Sequence, residues 1–161
     1  WLALWSTFCQ DRRAPIRQVS RSSLSCQVSL QIHPNVNRVF ELDQGVAKLF
    51  GYEVIEASDG SCCIAARVSN EFVNAAGFGH GSLAFTLMDT ASAYALASTE
   101  SMGVTVNANV TYVKAVSAGD VIKACASIFE GSKRMVSLRS EARVGEVVVA
   151  HGVFLFQLLR N

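Results

Sequence analysis

Hydrophobic residues are spaced in different ways along this chain, and each spacing predicts a different element. From Asn35 to Phe50 the apolar positions Val36, Val39, Phe40, Val46, Leu49 and Phe50 recur at loosely helical intervals, broken by Gly45, which predicts one or two short helices. Segments 51–57 and 61–68 are strand-like, and the Asp59-Gly60 pair between them is a strong hairpin signal. From Ser82 to Ser98, strong helix formers run without proline and with apolar residues on every face, the pattern of a helix wrapped by protein. Val104, Val106, Ala108, Val110 and Tyr112 then alternate with Thr105, Asn107, Asn109 and Thr111. A period of two in β-branched residues predicts a long, half-buried strand. Segments 120–129, 135–143 and 146–158 follow as strands, joined by turns at Gly131-Ser132 and Gly145-Glu146 that suit antiparallel hairpins. The last is apolar nearly throughout, which predicts a central place in the sheet.

Two strands, one long helix and four strands leave no room for βαβ crossovers. An antiparallel sheet wrapped around a single helix is the economical way to cover a helix that is apolar all round, so the expected class is α+β, of hotdog type. At 161 residues, half of them hydrophobic, the chain has the size of one domain.

Residues 1–32 differ in kind. Up to Phe40 there are five arginines (Arg12, Arg13, Arg17, Arg21, Arg38) against the single acid Asp11, with serines clustered at Ser20, Ser22, Ser23 and Ser25. That composition suits a poorly ordered extension or a targeting segment, so the folded domain is expected over residues 33–161. A cytoplasmic location is expected, or the mitochondrial matrix if residues 1–32 are a transit peptide. A net charge of +1 without long runs of one sign gives no footprint for nucleic acid, and no apolar run is long enough to span a bilayer. Five cysteines (Cys9, Cys26, Cys62, Cys63, Cys125), odd in number and without Cys-x-x-Cys spacing, read as thiols in a reducing compartment, with Cys62 and Cys63 on opposite faces of a strand.

Between Glu71 and Glu100 the only acid is Asp89, set in the apolar helix. It is expected to be largely buried, and an ionised carboxylate kept there at a cost points first to catalysis. The segment Gly77-Phe78-Gly79-His80-Gly81-Ser82 leads into the helix. Glycines allow backbone to approach a ligand closely, and first-turn N–H groups lack intrahelical acceptors, so this end can hold an oxyanion. The plainer alternative is a glycine turn with Ser82 as an ordinary N-cap. Eight residues of helix separate Gly81 from Asp89 by about 12 Å, too far to act on one carbonyl. Two copies paired about a two-fold axis, helices antiparallel, would bring the Asp89 of one chain to the Gly81 N–H of the other.

The ordered set Asn74, five residues, His80-Gly81-Ser82, six residues, Asp89, continued by Thr90-Ala91 and Ala93-Tyr94-Ala95, closely resembles the hotdog-fold acyl-CoA thioesterases of the phenylacetic-acid-degradation type. The resemblance extends through Val104-Thr105-Val106-Asn107, Tyr112 and Gly119-Asp120 and covers roughly residues 36–158. It implies hydrolysis of an acyl-CoA thioester, medium-chain or aryl-acetyl, to the free acid and CoA, with no cofactor beyond the CoA of the substrate. Carried over by position, Asp89 resembles the general base or nucleophile, and the Gly81 N–H the group polarising the thioester carbonyl. Asn74 would place the carbonyl or the lytic water, Thr105 would lie near that water, and His80 would order the turn. Ser82, where the family usually has glycine, and Asn107 would contact substrate. Self-association as a dimer, extended to a tetramer, is expected.

Two other functions compete. A hotdog dehydratase or hydratase is disfavoured because no proline-containing loop follows the histidine; a non-catalytic acyl-CoA-binding module would gain little from a buried Asp89. Lys114, Lys123, Lys133, Arg134 and Arg139 could meet CoA phosphates, although solvated surface charge is their default. His33 and His151 lack partners at metal-ligand spacing, and no metal is expected.

Overall fold

The computed structural model of the protein describes residues 31–159. The extension expected over residues 1–32, with Cys9 and Cys26, lies outside the described residues but for its last two. Helices α1 (Pro34–Leu42) and α2 (Gln44–Phe50) lead into strands β1 (Tyr52–Ser58) and β2 (Ser61–Arg67). A single 3-10 turn, Asn70–Phe72, precedes helix α3 (Gly81–Ala97). Strands β3 (Gly103–Tyr112), β4 (Val121–Gly131), β5 (Met135–Val144) and β6 (Val147–Leu158) complete the fold. Asp59 and Gly60 both take positive φ, 49° and 77°, as a two-residue hairpin turn of type I′ requires. The break between the first two helices falls at Asp43, whereas Gly45 lies inside α2.

All six strands pair antiparallel in the order β1-β2-β4-β5-β6-β3. α3 lies across one face, against β4, β2 and β5 above all, which is the hotdog arrangement. Its Leu83, Leu87, Met88, Ala91 and Tyr94 interlock with Ile64, Ile122, Leu138, Phe154 and Phe156 of the sheet, all essentially inaccessible to solvent. Each large apolar side chain buried there contributes about 1.5–3 kcal/mol. β6 is interior, flanked by β5 and β3, but not central; the middle pair is β4 and β5.

Three further expectations need correction. α3 is not covered all round: the stripe Ser82, Phe85, Thr86, Asp89, Thr90, Ala93, spaced by three and four residues, stays exposed or half-buried. One open sheet covers only part of a helix's circumference, and Asp89 is therefore half-buried rather than sealed. β3 is not half buried either. Among the described residues it is the edge strand, with β6 as its sole neighbour, and Val104 and Val106 are 50% and 47% exposed. Finally, Cys63 and Cys125 are directly opposed residues of β2 and β4, Cα atoms 4.1 Å apart, and are joined in a disulfide. Among the described cysteines the thiol reading holds for Cys62, which lies on the core face, where burial pushes its thiol up to about 12.

Candidate active site

The entrance to α3 is anchored from three sides before the helix begins. The Asn74 side-chain oxygen accepts from the N–H groups of Ala76 (2.9 Å) and Phe78 (3.1 Å), which closes loop 74–78 on itself. That leaves the carboxamide NH2 as the group Asn74 can offer a ligand. Gly79 N–H donates to the Val116 carbonyl at 2.8 Å. A Cβ at that position would come within 2.5 Å of Val116 Cγ2, so only glycine permits the approach. His80 N–H donates to the Phe72 carbonyl at 2.6 Å.

The helix cap is His80, and not Ser82. Its Nδ1 accepts from the Ser82 N–H at 3.0 Å and lies 2.7 Å from Ser82 Oγ, so one imidazole nitrogen satisfies the second N–H of the helix. The first N–H, that of Gly81, has no acceptor among the described residues. It points out of the positive end of a 17-residue helix, a favourable place for developing negative charge. The ring of Tyr112, the last residue of β3, fills the space beside Gly81 that a Cβ there would approach. Burial pushes its hydroxyl above the usual tyrosine range, so it is a neutral phenol at physiological pH.

Two turns further along α3, the Thr105 hydroxyl donates to Asp89 Oδ1 at 2.7 Å. A bulge makes that contact possible. Thr105 pairs with Phe156 and Ala108 with Phe154, while the register slips between Thr105 and Asn107, so Val106 is the extra residue. Both Phe154 and Phe156 face the core, hence Thr105 and Ala108 do too, although strict alternation would have set them on opposite faces. Desolvation raises the Asp89 pKa above the ordinary carboxylate value, and the Thr105 hydrogen bond partly offsets this by favouring the charged form. Neither ion pair found among the described residues, Lys123–Glu56 and Arg143–Glu141, involves Asp89.

Within one chain the residues singled out from sequence therefore form two groups. Asn74, His80, Gly81 and Ser82 gather at the N-terminus of α3; Asp89 and Thr105 sit about 12 Å further along. Asn107 joins neither, since its partner Leu155 lies between the core-facing Phe154 and Phe156 and both therefore face the outer side of the sheet. Of the candidate cations, Arg139 stacks over the Phe129 ring at 4.9 Å and Lys123 pairs with Glu56 at 3.8 Å, while Lys114 follows β3 two residues after Tyr112. A cavity of about 760 Å³ opens on that outer face beside the disulfide, Arg139, Glu141 and His151, away from α3. Among the described residues no three His, Cys, Asp or Glu side chains converge as a metal site would need, and no helix is long and apolar enough to cross a membrane. Spacing alone could reveal neither the bulge nor the seat of Tyr112 on Gly81, because both arise from how β3 lies against its neighbours.

Residues 76–151, from the helix entrance to the middle of β6, match the model of the Thioesterase superfamily. No curated protein matches the sequence. Among solved structures, the chain is similar to a conserved protein of Pseudomonas aeruginosa at 26% identity, covering 71% of this chain and 93% of that one with a TM-score of 0.67. It is similar to the PaaI protein of the E. coli phenylacetic acid degradation operon at 24% identity, covering 79% and 92% with a TM-score of 0.75. A hypothetical thioesterase of Streptococcus pneumoniae TIGR4, solved with coenzyme A, shares 25% identity over 66% of this chain and 87% of that one, TM-score 0.64. With the superfamily model lying over the segment that bears the site, and the hotdog fold around it, the chain is similar to the hotdog thioester hydrolases of that superfamily.

Proposed function

We propose that the protein hydrolyses acyl-CoA thioesters, of medium-chain or aryl-acetyl type, to the free acid and CoA, in a site that two copies of the chain complete together. The observation that carries this reading is Asp89, oriented by Thr105 at 2.7 Å on the uncovered stripe of α3. Asp89 acts as general base: its free carboxylate oxygen takes a proton from water as the water oxygen bonds to the thioester carbon. The carbonyl oxygen gains negative charge and is held by the Gly81 N–H of the other copy. Collapse of the intermediate breaks the C–S bond, and the departing CoA sulfur takes the proton back. A base with a raised pKa suits this role better than an ordinary carboxylate.

Similarity to structures seen with coenzyme A and with acetyl CoA supports the leaving group, and similarity to PaaI supports an aryl-acetyl acid. Alanine variants of the pneumococcal protein replace an aspartate and a threonine that are 16 positions apart, the separation of Asp89 and Thr105 here. Support for the shared site comes from the border of the molecule. The free edge of β3, with Val104 and Val106 exposed, adjoins the open stripe of α3, where Phe85 is 37% exposed. A second copy related by a two-fold axis would pair the edges and cover both.

The test is release of free thiol from a panel including phenylacetyl-CoA and octanoyl-CoA. Asp89→Asn is expected to lose about 10³-fold in kcat while keeping its fold and association state, as loss of an essential base does. Undiminished turnover by Asp89→Asn sinks the reading.

A further inference from the structure

Gly81 is a glycine for a reason that its backbone conformation does not supply. Its φ is not positive, so a residue with a side chain could adopt the same conformation at the first position of the helix. Space decides instead: a Cβ there would lie 3.1 Å from Cε1, 3.2 Å from Cζ and 3.5 Å from the hydroxyl oxygen of Tyr112. The first two are closer than ordinary carbon contact, so the phenol end of Tyr112 occupies the place a side chain would take. That ring end lies over the side of Gly81 from which a Cβ would project, beside the unpaired N–H.

Tyr112 has no evident scaffold role. It is 52% exposed, and its hydroxyl has no hydrogen-bond partner among the described residues. The two other tyrosines are buried and fully engaged: Tyr52 and Tyr94 hydroxyls are 3.0 Å apart, and Tyr94 donates to Asp43 at 3.1 Å. The loop that delivers Gly81 is pinned at Gly79 and His80 by bonds to the Val116 and Phe72 carbonyls, but no such bond reaches the Gly81 N–H itself. The Gly81 N–H shares its peptide plane with the His80 carbonyl, which accepts from the Leu83 N–H at 3.1 Å, but the N–H end of that plane has no partner of its own among the described residues.

We infer that Tyr112 is a positioning residue for thioester hydrolysis: its ring, seated on Gly81, fixes the direction of the Gly81 N–H and walls the pocket into which that N–H points. This rests on the reading of Gly81 as the carbonyl-polarising donor. β3 then serves both halves of the chemistry, Thr105 orienting Asp89 and Tyr112 orienting Gly81. Because a preorganised donor acts on charge that develops only in the transition state, its misalignment lowers kcat and leaves substrate binding largely intact.

Steady-state hydrolysis of phenylacetyl-CoA and octanoyl-CoA by Tyr112→Phe, Tyr112→Ala, Gly81→Ala, the double variant and Asp89→Asn tests it, with Tyr112→Leu in place of alanine should the latter not fold. Tyr112→Phe keeps kcat within about threefold; Tyr112→Ala lowers kcat at least about tenfold with KM changed by less than about threefold. The losses from Gly81→Ala and Tyr112→Ala do not multiply in the double variant, because alanine at 81 displaces the same ring. Wild-type kcat in folded Tyr112→Ala overturns the inference, as does damage in Tyr112→Phe equal to that in Tyr112→Ala, or losses that multiply. If Asp89→Asn is inactive while Tyr112→Ala is unimpaired, only this inference falls; if Asp89→Asn is fully active, the reading of the site falls with it.

Discussion

Asp89 carries a charge that its surroundings disfavour and its proposed chemistry needs. Its folded pKa lies above the unfolded value of 3.8, chiefly through desolvation. Below that unfolded value both states are protonated and the residue costs nothing. As pH rises towards and through the folded value, the native state must ionise a group it partly desolvates, so stability falls and stays lower above it. Asp89→Asn is therefore expected to melt at a higher temperature than wild type at pH 7–8, with the difference closing as pH is lowered towards about 4, in paired thermal unfolding curves. Activity runs the other way, since the base works only when ionised: kcat rises with pH through that same raised value. Thr105 tunes where the limb falls, because its hydrogen bond favours the carboxylate. Thr105→Val is expected to move the acid limb of the kcat profile to higher pH and to lower its plateau by about tenfold, while Thr105→Ser keeps both near wild type. An unmoved limb in Thr105→Val would show that the hydroxyl does not act on Asp89.

Strands set where those residues can meet, and their pairings are what sequence conveys least. The Cys63–Cys125 bond ties β2 to β4 across a chain separation of 62 residues. Closing a loop of that length restricts the unfolded chain, and its loss is expected to cost about 2–4 kcal/mol. Denaturant unfolding with and without a dithiol reductant measures it, with Cys63→Ser/Cys125→Ser as the irreversible counterpart; coincident curves would mean the bond adds nothing. The hairpin at Asp59-Gly60, the span of α3 and the strands of the C-terminal half were legible because their signals are local: a turn dipeptide, a run of helix formers, a period of two. The disulfide, the edge position of β3 and the bulge at Val106 were not, since each depends on which distant segments pair. Simple alternation put Thr105 on the face opposite Val104, Val106 and Ala108; one extra residue in the strand turned it onto Asp89. Asp89 stood out in the sequence as the only acid in its stretch, but that its side of α3 is uncovered became visible only with the sheet in place.

At the scale of the whole molecule, the question is whether one chain holds a complete site. About 12 Å of helix separates Gly81 from Asp89, and no loop of the described chain brings another donor to Asp89 beyond Thr105. A shared site makes a prediction that a self-contained one cannot. Gly81→Pro deletes the proposed N–H at the first helical position, where proline's φ is tolerated, and the preceding His80, at φ −67° and ψ 134°, is already extended as a residue before proline must be. The half-exposed Tyr112 ring can yield to the added atoms. Gly81→Pro and Asp89→Asn are each expected to be nearly inactive alone. Mixed as unfolded chains in equal amounts and refolded together, half of the dimers pair one chain of each kind. In such a dimer one site takes Asp89 from the first chain and Gly81 from the second, both intact, while the other site has lost both. Activity should return to about a quarter of the wild-type level in a two-fold dimer with two composite sites. If Asp89 and Gly81 of the same chain served one site, every site in every mixture would carry a defect, and the refolded mixture would be no more active than its components.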